Sequence, residues 1–287
     1  MNALSSMPND SSPGSTPLPA KPAPISRRRW WIHLILITAY LLVVGAVGWS
    51  RSGSHVPVLS DKASSLLFVC ALELLIFGLV FGLAWLASRA NRDDLMLRWR
   101  GGFWPVPLGI GYSVALRLAV GLVMILVAMT LILTHLMTPE SLRQVAVTHR
   151  PDVEVLVDLS AMRHDPVYFW LVLTLVSFVV AGLREELWRS AFLAGLRAVW
   201  PLHFGSRAGQ IGAVAIAAVL FGIGHLAMGW IAVCLAAILG VGLGLIMVLH
   251  RSIWPAVIAH GAFDATSLAL IPWAMDQLKH YQQMLGH

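Results

Sequence analysis

Runs of apolar residues long enough to cross a bilayer constrain this chain more than any other feature. A helix spanning the hydrocarbon core needs about 20 consecutive apolar residues, and about seven runs approach that length. They cover residues 30–49, 65–87, 108–136, 169–200, 211–229, 231–249 and 253–273. Composition agrees: 58% of the residues are hydrophobic and 12% charged, with mean hydropathy +0.77, which is too apolar for a soluble domain. A membrane-spanning barrel would show strict alternation, which these runs lack. Inside lipid every backbone polar group must be satisfied within the segment, so the runs are helices. The predicted fold is all-α: a polytopic helical membrane protein of about seven transmembrane helices.

The remaining segments divide the chain. Residues 1–26 are rich in Ser and Pro, without periodicity, and read as a disordered tail. Residues 27–167 hold the first three runs and a long outer loop, 137–167. Residues 168–274 hold the last four runs, and 275–287 form a C-terminal tail. Arg27, Arg28 and Arg29 precede the first run. That run is too long for a cleaved signal and reads as a retained span.

The net charge of +6 invokes no nucleic acid, because the arginines flank membrane segments and no groove-reading motif is present. Lys21 and Arg27–Arg29, then Arg89, Arg92, Arg98 and Arg100, then Arg197 and Arg207, and finally Arg251 all fall on one side of a seven-span chain. The positive side is cytoplasmic, which places the N-terminus inside and the C-terminus outside. Cys70 and Cys234, both in apolar runs, are too few for a disulfide framework and read as packing. Trp30, Trp49, Trp104, Trp170, Trp254 and Trp273 fit an interfacial belt. Pro105 and Pro107 mark the entry of the third span.

Ionisable residues inside a membrane helix cost roughly 3 kcal/mol each on insertion scales, so they are usually turned inward, paired and functional. Glu73 and Arg117 lie in the second and third runs and read as a structural pair. The later runs carry three patterns: Arg184-Glu185-Glu186-Leu187-Trp188-Arg189, then Phe221-Gly222-Ile223-Gly224-His225, then His260-Gly261-Ala262-Phe263-Asp264. Residues four apart share a helix face, so Glu185 can pair with Arg189, Phe221 and His225 can face together, and Asp264 can orient His260. Glu185 and Glu186 point about 100° apart, so one acid can face a reaction while the other makes structural bonds. Each pattern alone is weak; their order is not.

In that order the chain resembles the CPBP family of intramembrane proteases, which includes CAAX prenyl endopeptidases of the Ras-converting-enzyme type and bacteriocin-processing and immunity proteins. Its pattern is E-E-x-x-x-R, F-x-x-x-H and H-x-x-x-N/D. Leu220–Leu226 and Ser252–His260 look similar as well, and the resemblance covers about residues 168–274. It implies an integral membrane endopeptidase, in the inner membrane of a bacterial cell, acting on a membrane-associated protein or peptide with CAAX-like prenylated ends as one candidate. Glu185, Glu186, His225, His260 and Asp264 would be catalytic, with Arg189 and Phe221 orienting. One acid would activate water, His225 would position it, and His260 with Asp264 would stabilise the intermediate.

The pattern departs from the family at one place. The family arginine stands five residues after the first acid, where this chain has Ser190; Arg189 comes one place early. Aligning the acids displaces the arginine. Aligning the arginine puts Arg184 in the place of the first acid. The cofactor is likewise open: two histidines and a carboxylate make a catalytic zinc set, but no H-E-x-x-H motif is present. Two other classes stay open: a non-enzymatic immunity or scaffold protein held by its charge cluster, and a proton-coupled transporter, which lacks the expected paired halves. Helix rise poses a further problem. His260 lies roughly 13 Å from Arg251, Glu185 roughly 22 Å from Trp200 and His225 roughly 27 Å from Arg207. Straight, equally inserted helices would not bring them together.

Overall fold

A computed structural model describes residues 26–51 and 62–284. The N-terminal tail, apart from Ser26, lies outside them, as does most of the 51–64 loop. Among the described residues the chain is helical, with no strand. The helices are α1 (Arg27–Arg51), α2 (Ala63–Ser88), α3 (Pro105–Leu133), α4 (Pro139–Thr148), α5 (Leu159–His164) and α6 (Pro166–Leu171), followed without a break by a π-helical stretch (Val172–Arg184) and α7 (Glu185–Val199). Next come α8 (Pro201–Phe204), α9 (Arg207–Ile223), α10 (Trp230–His250) and α11 (Trp254–Met284). Pro105 opens α3, where a proline costs no hydrogen bond.

Five helical segments are long and apolar enough to cross a membrane: 27–50, 63–88, 105–133, 166–199 and 230–250. Of the seven expected spans, five meet that criterion. The other two runs correspond to α9, which is shorter at 17 residues, and α11, whose hydropathy is diluted by His260 and Asp264. The 137–167 loop is not featureless. Thr138 caps α4, and Val155, Val157 and Met162 pack with Leu66, Cys70, Tyr168 and Val172 as a small core. α11 continues through Met284, well past the end expected for the last span.

The main core gathers α1, α7, α9, α10 and the start of α11 around the segment after α2. That segment folds inward, burying Ala90, Leu95 and Met96. Ser190 on α7 donates to the carbonyl of Leu95, and the amide of Ile253 donates to the carbonyl of Met96 at 2.9 Å. These neighbouring carbonyls set Ser190 and Ile253 at nearly the same level. Glu186 then lies about 6 Å above that level and His260 about 10 Å above it, close enough for their side chains to meet. The depth mismatch disappears because α11 starts on an inward-folded loop, while the 34-residue helical stretch 166–199 exceeds a ~30 Å hydrocarbon core.

Other expectations change. Trp30 is buried in the core rather than interfacial, and Cys234 lies on an exposed face rather than inside. His33, fully buried, bridges the carbonyls of Ala84 and Ala191 at 2.9 and 3.0 Å, tying α1 to α2 and α7. Helix contacts without a hydrophobic gradient rely on small residues that permit close approach. Gly182 shows this: a Cβ there would sit 2.9 Å from the carbonyl oxygen of Val257 on α11. Gly182→Ala is therefore expected to cost about 1–3 kcal/mol by overpacking. A thermal unfolding curve in detergent measures it, and an unchanged midpoint would contradict the tight contact.

Candidate active site

The first carboxylate pair sits where the π-helical stretch gives way to α7. π-Helical geometry is rare and often marks functional positions. Glu185 and Glu186 open α7 and diverge, as the helical turn requires. Glu186 is fully buried and touches the equally buried Arg189, an i,i+3 ion pair. The expected Glu185–Arg189 pair is not formed: one turn of α7 brings Arg189 to Glu186, and Glu185 pairs with Arg184 at 2.9 Å instead. Among the described residues, Glu186 Oε2 and Arg189 Nε and NH2 are buried without a hydrogen-bond partner.

α11 supplies His260, two turns after Trp254. Its Nδ1 meets Glu186 Oε1 at 3.0 Å. Its Nε2 faces Asp264 Oδ2 at 3.5 Å and Glu185 Oε2 at 3.7 Å. One imidazole thus joins all three acids. With Glu186 accepting at Nδ1, a neutral ring keeps its lone pair on Nε2, whereas a charged ring donates to both sides.

α9 supplies Phe221 and, just past its end, His225. The sequence places His225 within a span, but α9 stops at Ile223 and His225 begins a 3₁₀ turn, Leu226–Met228. Its Nδ1 donates to the carbonyl of Phe221 at 2.9 Å, which leaves Nε2 as the acceptor of a neutral ring. The Phe221 ring lies between the histidines, 4.7 Å from His225 and 6.0 Å from His260 centre to centre. Its other role is toward Arg189, whose guanidinium carbon stands 4.6 Å from the ring centre. The amide of Asp152, in the 137–167 segment, donates to the carbonyl of Met228 at 3.0 Å and ties that segment to the turn carrying His225.

All seven residues singled out from the sequence therefore belong to one neighbourhood. Glu186, Arg189, Phe221 and His260 are buried; Glu185, Asp264 and His225 are partly open. Two members were missed. Glu73 on α2 contacts Arg184, which also holds Glu185. The expected Glu73–Arg117 pair is accordingly absent. Arg117 turns to α11, donating to the carbonyl of Phe263 at 2.5 Å and to Ser267 at 3.2 Å, with Phe263 beneath its guanidinium. Burial of charge inside an apolar run was the available signal for both, but it does not name the partner.

Among the described residues no three His, Cys, Asp or Glu side chains are arranged to hold a metal. Glu186 is already engaged by Arg189 and His260, whereas His225, with Nδ1 held by the carbonyl of Phe221, keeps Nε2 open.

Residues 166–266 match the model of a protease family described as type II CAAX prenyl endopeptidase Rce1-like, in agreement with the resemblance carried by the motifs. No curated protein and no solved structure matches the chain. The matched stretch contains every expected site residue, whereas Glu73 and Arg117 lie outside it.

Proposed function

We propose that this integral membrane protein, with its CAAX endopeptidase-like domain at residues 166–266, hydrolyses a peptide bond of a membrane-associated substrate using an acid-activated water. The observation that carries the reading is the single imidazole of His260 set among Glu185, Glu186 and Asp264. An apolar bundle does not need three acids around one histidine to pack, and intramembrane charge is kept mainly where it works.

Glu185 is the general base. It is more open than Glu186, one of its oxygens is held by Arg184, and the other points toward His260. Glu186 is committed to Arg189 and His260, so it orients rather than reacts. Glu185 takes a proton from water, and the hydroxide adds to the scissile carbonyl. His225, accepting at Nε2, positions that water. His260, held as the charged ring between Glu186 and Asp264, donates its Nε2–H toward the oxyanion. When the C–N bond breaks, the proton on Glu185 passes to the departing amine.

The test is cleavage of a transmembrane or lipid-modified peptide by the purified protein, with and without a chelator. Cleavage that survives chelation is expected. Loss on chelation with recovery on added zinc would overturn the metal-free mechanism, and no cleavage at all would favour a second reading. In that reading the protein is a non-enzymatic scaffold, favoured by the ion pairs that tie Arg184 and Arg189 to the acids. A pH-driven flux without cleavage would instead support proton coupling through the same cluster.

The orientation is part of the proposal: N-terminus cytoplasmic, C-terminus outside, in a bacterial inner membrane. A reporter fused after His287 should be active only in the outer compartment. Activity in the cytoplasm would mean an even number of crossings.

A further inference from the structure

We infer that Glu73, on α2 and outside the family-matched stretch, is a positioning residue for Glu185, acting through Arg184; the inference rests on the protease reading of the same site. The atoms form a chain. Glu73 Oε1 contacts NH1 of Arg184. NH2 of the same guanidinium donates to Glu185 Oε1 at 2.9 Å. The other oxygen, Glu185 Oε2, stands 3.7 Å from His260 Nε2. A guanidinium is a rigid planar fork, so fixing NH1 fixes the direction of NH2. Glu73 thereby sets which carboxylate oxygen of Glu185 is tied down and which one faces the histidine.

The arrangement has a reason in the sequence. Arg184 stands directly before the acidic pair, at the position that becomes the first acid of the family pattern if Arg189 is taken as its arginine. A cation there, only 12% exposed, needs more negative charge than Glu185 alone supplies, because Glu185 also faces His260. α2 packs on the π-helical stretch and delivers a carboxylate to this point from another helix. Glu73 is 29% exposed, so most of its side chain is covered by the protein, where it meets Arg184. Arg117, the other cation of the N-terminal helices, is occupied by α11 and does not compete for it.

Positioning predicts a specific pattern. Glu73→Gln should lower kcat by about 10-fold or more while KM changes little, because misplacement of a reacting group can cost up to ~100-fold in rate. Arg184→Lys keeps the charge but loses the fork, so it should match Glu73→Gln rather than the wild type. A double-mutant cycle on the unfolding temperature, pairing Glu73→Gln with Glu185→Gln, should be non-additive and become additive in an Arg184→Met background. Wild-type kcat for Glu73→Gln, wild-type behaviour of Arg184→Lys, or additivity in the native background would each overturn the inference. If Glu73→Gln does not fold, Glu73→Asp, with its shorter reach, carries the same measurements. If the wild type cleaves nothing, the protease reading falls by itself, and the temperature cycle alone decides whether Glu73 holds Glu185 through Arg184.

Discussion

His260→Ala is expected to lower peptide cleavage by at least ~100-fold while the protein stays folded in the membrane, because a positioned acid or base typically contributes that much. The imidazole reaches Glu185, Glu186 and Asp264 together. Removing it takes away the donor to the oxyanion and the spacer that keeps the acids apart. His225→Ala should fall as far by a different route, through the loss of the acceptor at Nε2 that positions water. Its ring rests against Phe221 just past the end of α9, so the fold should survive its loss. Turnover assays together with a size-exclusion profile in detergent check both variants. A folded His260→Ala protein that still cleaves would end the mechanism.

Glu185→Gln and Glu186→Gln should fail in different ways. Glu185→Gln keeps shape and hydrogen bonding but cannot take a proton, so cleavage is lost and the unfolding temperature changes little. Glu186→Gln leaves the fully buried Arg189 guanidinium without its counter-ion. Breaking a buried pair from one side costs about 3–5 kcal/mol, and this variant should be poorly folded before its chemistry is considered. Adding Arg189→Met to Glu186→Gln removes the stranded charge and should recover much of the stability, although not the activity. Thermal unfolding of the single and double variants, alongside cleavage rates, separates these roles. Normal cleavage by Glu185→Gln with none by a stable Glu186→Gln would exchange the two acids.

Apolar run length alone determined the all-helical membrane fold, because a bilayer leaves no other way to satisfy a spanning backbone. Motif order pointed to the family later matched over residues 166–266, and the seven residues it named share one neighbourhood. Helical spacing also established that Glu185 and Glu186 must diverge. It could not choose between i,i+3 and i,i+4 partners, so it offers Glu185 to Arg189 where the structure gives Glu186. Only the tertiary structure decided that Glu73 reaches Arg184 while Arg117 reaches α11, since a buried charge demands a partner without saying on which helix it lies. Helix rise sets the site residues at different depths because it assumes equal insertion. The inward-folded segment at Leu95 and Met96, which sets the level of α11 against α7, is a long-range contact that no local pattern records.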